Sequence, residues 1–102
     1  MNMIVYNVSV KVEHDSADAW VRWMKEEHMP ELMALGVFTD SRLCRLLDQD
    51  ESDGLTYSAQ YVCRNIDDYN AYLDKHADTM RERALKLFAG KFVAFRTVME
   101  IL

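Results

Sequence analysis

Residues Met3 to Val12 alternate in polarity. Ile4, Tyr6, Val8, Val10 and Val12 are apolar, and Asn7, Ser9 and Lys11 lie between them. A period of two over this length marks a half-buried β-strand. The same period returns at the other end, where Val93, Phe95, Thr97, Met99 and Ile101 alternate with Phe92, Ala94, Arg96, Val98 and Glu100. Two further strand-like runs, Val37 to Leu47 and Leu55 to Arg64, flank the acidic stretch Asp48 to Gly54. That stretch is rich in turn formers and reads as a hairpin tip.

Helical spacing fills the two remaining gaps. Ala17, Trp20, Val21, Met24 and His28 place a first helix over 16–28, capped by Asp15 or Ser16. Pro30 should stop it, because the residue before a proline is pushed out of the α region. Glu31 to Leu35 then forms a short turn closed by Gly36. Asn65 caps a second, long helix with the stripe Ile66, Tyr69, Leu73, His76, Met80, Ala84 and Leu87, and Gly90 ends it. The order is β-α-β-β-α-β. Right-handed crossovers convert it into an α+β, ferredoxin-like sandwich, a four-stranded antiparallel sheet with both helices on one face.

The chain's 102 residues suffice for a single domain over 1–102. A net charge of −5 argues against a nucleic-acid surface, which should be basic. No apolar run reaches the roughly 20 residues of a membrane helix. The first residues show no basic region followed by an apolar stretch, so the expected location is cytoplasmic. With Leu47 opposite Leu55, Cys44 and Cys63 lie about five residues apart along the sheet, roughly 17 Å. A disulfide needs Cα atoms within about 7 Å, so free thiols are expected.

Strand parity assigns the two faces. The helix side receives Ile4, Tyr6, Val8, Val10, Leu43, Arg45, Tyr57, Ala59, Tyr61, Val93, Phe95 and Met99. The open side receives Val5, Asn7, Phe38, Cys44, Ser58, Val62, Phe92, Ala94, Arg96 and Val98, among others. A monomer would then expose Val5, Phe38, Val62, Phe92 and Val98 together, and contiguous apolar area of that kind marks an interface. A two-fold homodimer packed sheet on sheet would cover it. Scattered surface apolar residues on a monomer are the alternative.

The helix-side cleft collects Tyr6, Trp20, His28, Arg45, Tyr57, Tyr61 and His76. Such a set suits a small aromatic or carboxylate ligand. Arg45 would hold an anion in its fork, the tyrosines would offer hydroxyls, and Trp20 would form a wall. His28 or His76 would serve as general base. Each has a structural reading beside the functional one. A histidine or tryptophan on an apolar helical face can be a core residue, and Arg45 can pair with Glu27 or Glu31. No metal-site spacing, phosphate loop or activated nucleophile is present, so no metal and no cofactor is expected.

Several stretches resemble a small bacterial family known only as a domain of unknown function, within the dimeric α/β-barrel superfamily. They are Met3 to Val8, the Trp20, Trp23 and His28-Met29-Pro30-Glu31 tract, Cys44 to Leu47, Gln49 to Gly54, and Lys91 to Thr97. The resemblance implies two ferredoxin-like subunits joined sheet to sheet. The superfamily holds cofactor-free monooxygenases, isomerases, mutarotases, chlorite dismutases and haem-degrading enzymes, with pockets between helices and sheet. In its antibiotic-monooxygenase-like branch a histidine late in the second helix faces that pocket, which His76 matches. Haem-degrading members carry a strand-one asparagine and a tryptophan near the third strand. Asn7 falls on the open face here, and no Trp lies between Leu55 and Asn65. Two functions therefore stand: a ligand-binding subunit or cofactor-free enzyme of the monooxygenase or isomerase type, or a non-catalytic homodimeric interaction or regulatory domain.

Overall fold

The computed structural model describes residues 2–102. Strand β1 (Ile4–Val12) leads into α1 (His14–Trp23), a π-helical turn (Met24–His28) and α2 (Met29–Ala34). The hairpin β2 (Phe38–Arg45) and β3 (Leu55–Cys63) follows, then α3 (Ile66–Lys75), α4 (Ala77–Phe88) and β4 (Phe92–Glu100). The strands form one antiparallel sheet in the order β2-β3-β1-β4. The helices lie over one face. This is the ferredoxin-like α+β sandwich.

The first helix does not end before Pro30. It continues from His14 to Ala34 through the π turn, where the Met29 amide bonds the Met24 carbonyl five residues back. The buried residues explain why. Ala17, Trp20, Met24, Met29 and Leu32 are all in the core, and the step from Met24 to Met29 is five rather than three or four. A π turn absorbs that step. It also widens the helix just before Pro30, whose ring would otherwise press on the carbonyl four residues back. Glu13, not Asp15 or Ser16, stands at the N-cap, and no side chain caps this helix.

The second helix is broken rather than continuous. At His76 (φ −131°, ψ −28°) α3 ends and α4 begins. The break turns Tyr69, Tyr72, Ala77 and Met80 to the core and leaves Ile66 and Leu87 exposed. Asn65 does cap α3, accepting from the Asp68 amide at 2.9 Å. Gly36 (φ 79°) and Gly90 (φ 75°) take the left-handed conformation that closes α2 and α4.

Two corrections to parity matter most for the site. A bulge between Phe38 and Asp40 adds one residue to β2, so Phe38 turns to the helix side. There it joins Tyr6, Tyr61 and Tyr72, with ring centroids 6.3, 5.3 and 5.1 Å away. Strand β4 runs opposite to the expected parity. Val12 pairs with Phe92, Val10 with Ala94 and Val8 with Arg96, so Phe92, Ala94, Arg96 and Val98 face the helices. Val93, Phe95 and Met99 face outward instead. Both faces of β4 are largely apolar, so its alternation carries no direction.

The open face is consequently different from the expected one but still apolar at its edges. Val93 is 60% exposed and Phe95 72%, beside Met99, Val5 and Val62. Its centre is a polar ladder. Arg42 donates to Gln60, Gln60 to Ser58, Ser58 to Asn7 and Asn7 to Ser9. Cys44 is exposed and Cys63 buried, and both are free thiols.

Candidate functional site

Between the helices and the sheet lies a narrow cavity with about 50 Å³ of room for the centres of water molecules. One water takes about 10–15 Å³ on that measure, so the space holds a few waters or a ligand of comparable size. Tyr6, Val8, Val10 and Tyr61 form its floor, and Phe92, Ala94 and Arg96 come from β4. Trp20, Trp23, Met24 and His28 close one side, and Tyr72, Met80 and Arg81 the other.

The π turn places His28. Its ring stacks on Trp23 with centroids 4.4 Å apart and planes 22° off parallel. Phe88 of α4 packs on Trp23 at 5.5 Å. The His28 Nδ1 is buried without a hydrogen-bond partner. Burial, aided by the positive charge of Arg83, lowers its pKa from 6.5 to about 4. The imidazole is thus neutral at pH 7.

Two arginines complete the polar set. Arg81 donates a long bond of 3.5 Å to the Tyr6 hydroxyl, and its Nε is buried and unpaired. Arg96 is exposed and carries the cavity to the surface on the β4 side. Among the described residues neither has an acidic partner, whereas Arg83 pairs with Glu31 and Arg64 with Asp68. Both cavity arginines act on Tyr69 and Tyr72, favouring their ionised forms. Burial outweighs that effect, and the pKa values of Tyr61, Tyr69 and Tyr72 are raised. These phenols remain neutral donors.

Of the residues singled out from sequence, Tyr6, Trp20, His28 and Tyr61 meet at this cavity. Arg45, Tyr57 and His76 do not line it. Arg45 is exposed and grips Glu51 through both carboxylate oxygens at 2.9 and 2.8 Å, pinning the hairpin tip. It reaches neither Glu27 nor Glu31. Tyr57 is buried against Trp20, ring to ring at 5.1 Å. His76 is half-buried at the helix break, where its backbone bonds Tyr72 and Met80. The anion-holding role expected of Arg45 thus has no basis at that position.

Arg81, Arg96 and Tyr72 are site residues that the sequence pattern did not single out, and Trp23 was marked only as part of the Trp20 to Glu31 tract. For Arg96 the available signal was a cation within an otherwise apolar stretch of strand; Arg81, with Asp78 three residues before it and Glu82 beside it, carried no such signal. Among the described residues no group of three or more His, Cys, Asp or Glu is placed to hold a metal ion. No helix among them is long and apolar enough to cross a membrane.

A family model described as a domain of unknown function, DUF4286, matches residues 3–102. The chain belongs to that family. No curated protein matches it. Among solved structures, a dimeric ferredoxin-like protein from an uncultured marine organism superposes with a TM-score of 0.77 at 7% identity, covering 100% of this chain and 97% of that one. An EthD-like protein from Ralstonia eutropha gives 0.74 at 13% identity, covering 100% and 94%. SnoaB, a cofactor-independent oxygenase from Streptomyces nogalater, gives 0.65 at 12% identity, covering 100% and 95%. At these identities the likeness establishes the shared fold of this DUF4286 protein.

Proposed function

We propose that this DUF4286 protein is a homodimer whose subunits each bind a small molecule between helices and sheet. One observation carries the pocket. His28 Nδ1 and Arg81 Nε are buried without partners in the lining of the same cavity. An unpaired buried polar atom costs about 1–3 kcal/mol, and a ligand offering the complementary group removes that cost. Tyr6, Trp20 and Tyr61 supply the aromatic walls. The open face supports the dimer, because Phe95, Val93 and Met99 flank a polar ladder that is already hydrogen-bonded within the subunit. The free thiols Cys44 and Cys63 fit a reducing, cytoplasmic setting.

The enzymatic form of this reading is cofactor-free chemistry of the monooxygenase or isomerase type, with His28 as the proton-accepting group. A neighbour of the same fold is a cofactor-independent oxygenase. The neutral imidazole has a free lone pair, and a bound anion beside it would raise its basicity. His76 has no part in this scheme. The small volume of the cavity favours a second reading, a homodimeric interaction or regulatory domain without chemistry, because drug-sized ligands occupy about 300 Å³ or more.

A thermal-shift screen separates the two. A true ligand at a hundred times its dissociation constant adds about 2.7 kcal/mol to stability. His28→Ala should remove that gain while the protein stays folded. A screen with no stabilising compound would leave the interaction-domain reading. Sedimentation equilibrium at tens of micromolar should show a dimer, and a monomer would refute the sheet-to-sheet assembly.

A further inference from the structure

The chain is acidic overall, with a net charge of −5. The cavity is not. Its lining contains two arginines, no aspartate and no glutamate. Arg81 leaves its Nε buried and unpaired, and Arg96, in the same lining, has no acidic partner among the described residues. Outside the cavity Lys11 pairs with Asp53, Arg45 with Glu51, Arg64 with Asp68, Arg83 with Glu31 and Lys91 with Glu13, while Arg22, Lys25, Arg42, Lys75 and Lys86 have no acidic partner among the described residues; Arg81 differs from these in having its unpaired nitrogen buried. Unpaired guanidinium groups in an acidic protein, placed at a cavity, mark where negative charge is to arrive.

The chemistry of the donors narrows the ligand. Guanidinium forks match the planar, two-oxygen geometry of a carboxylate. The Tyr6 hydroxyl lies beside Arg81, and the neutral imidazole of His28 offers either a donor or an acceptor according to its tautomer. The remaining lining is apolar or aromatic, and the space admits only a few heavy atoms. We infer that the ligand of this cavity is a small carboxylate, with its carboxyl group held by Arg81 and Arg96 and its other end against Trp23 and His28. The inference rests on the pocket reading above and specifies the class of molecule.

Heteronuclear NMR tests it on the wild-type protein. Acetate and pyruvate are titrated in chloride-poor buffer, with acetamide and pyruvamide as uncharged counterparts. A carboxylate should give saturable shifts at the Trp23 indole and at residues of the cavity, and its amide should bind at least about tenfold more weakly. Arg81→Gln and Arg96→Gln, each checked for a native spectrum, should each weaken the acid by about tenfold or more, the usual effect of losing a charge-assisted bond. Arg45→Gln, outside the cavity, should leave the affinity unchanged. Equal binding of acid and amide in the cavity would overturn the carboxylate while the pocket stands. Undiminished binding of the acid to both arginine variants would overturn it in the same way. If neither acids nor amides give saturable shifts, the carboxylate and the pocket fall together.

Discussion

Acid should destabilise this protein through one imidazole. Burial and the charge of Arg83 hold the pKa of His28 at about 4, below its ordinary 6.5. The unfolded chain therefore takes up a proton more readily than the folded one. The stability that depends on neutral His28 is fully present above about pH 6.5 and is lost as pH falls toward 4, where the loss levels off. At about 1.4 kcal/mol per pH unit the whole loss comes to about 3 kcal/mol, with about 2 kcal/mol gone by pH 5. Urea unfolding at fixed protein concentration reads this directly, as a falling midpoint with an unchanged slope. His28→Gln, which cannot titrate, should lose much less stability between pH 7 and 5. An NMR titration of the imidazole provides the independent check. A His28 resonance titrating near 6.5, or a variant as acid-sensitive as the parent, would refute the assignment of a buried neutral ring.

Three further perturbations probe other parts of the molecule. Trp20 is 2% exposed at the centre of the core, so Trp20→Ala should cost about 3–5 kcal/mol in chemical denaturation. A Cβ at Gly54 would stand 2.6 Å from the Val12 carbonyl oxygen, so Gly54→Ala should force the hairpin from β1 and cost about 1–3 kcal/mol. Phe95→Glu places a charge on the open face and should convert the dimer to monomer in sedimentation, with a native far-ultraviolet spectrum retained.

The architecture was legible because each element had a period and a punctuation mark. Ile4 to Val12 alternates apart from Val5, Asn65 caps a helix, and Gly36 and Gly90 close two others. The departures arose where the pattern is degenerate or where one residue shifts the phase. Strand β4 is apolar on both faces, so its direction was set by pairing with β1, not by its own residues. The bulge after Phe38 reversed one aromatic ring through a backbone irregularity that has no sequence marker here. The five-residue step from Met24 to Met29 was visible, yet Pro30 suggested a stop, and the π turn reconciled the two. Those same shifts decided the site. The inverted parity of β4 brought Arg96 to the cavity, and the π turn aimed His28 into it. Arg45 had the right residue type and faced the helix side, but Glu51 in the hairpin tip claimed it.

The central claim is a cavity between helices and sheet that receives a small molecule at His28, Arg81 and Arg96. The most direct measurement is a crystal structure of the protein soaked in pyruvate. Density is expected in the cavity, with the carboxylate against the two guanidinium groups and a polar contact to His28. A cavity left unoccupied at saturating pyruvate, with Arg81 and Arg96 turned to solvent, would contradict the claim.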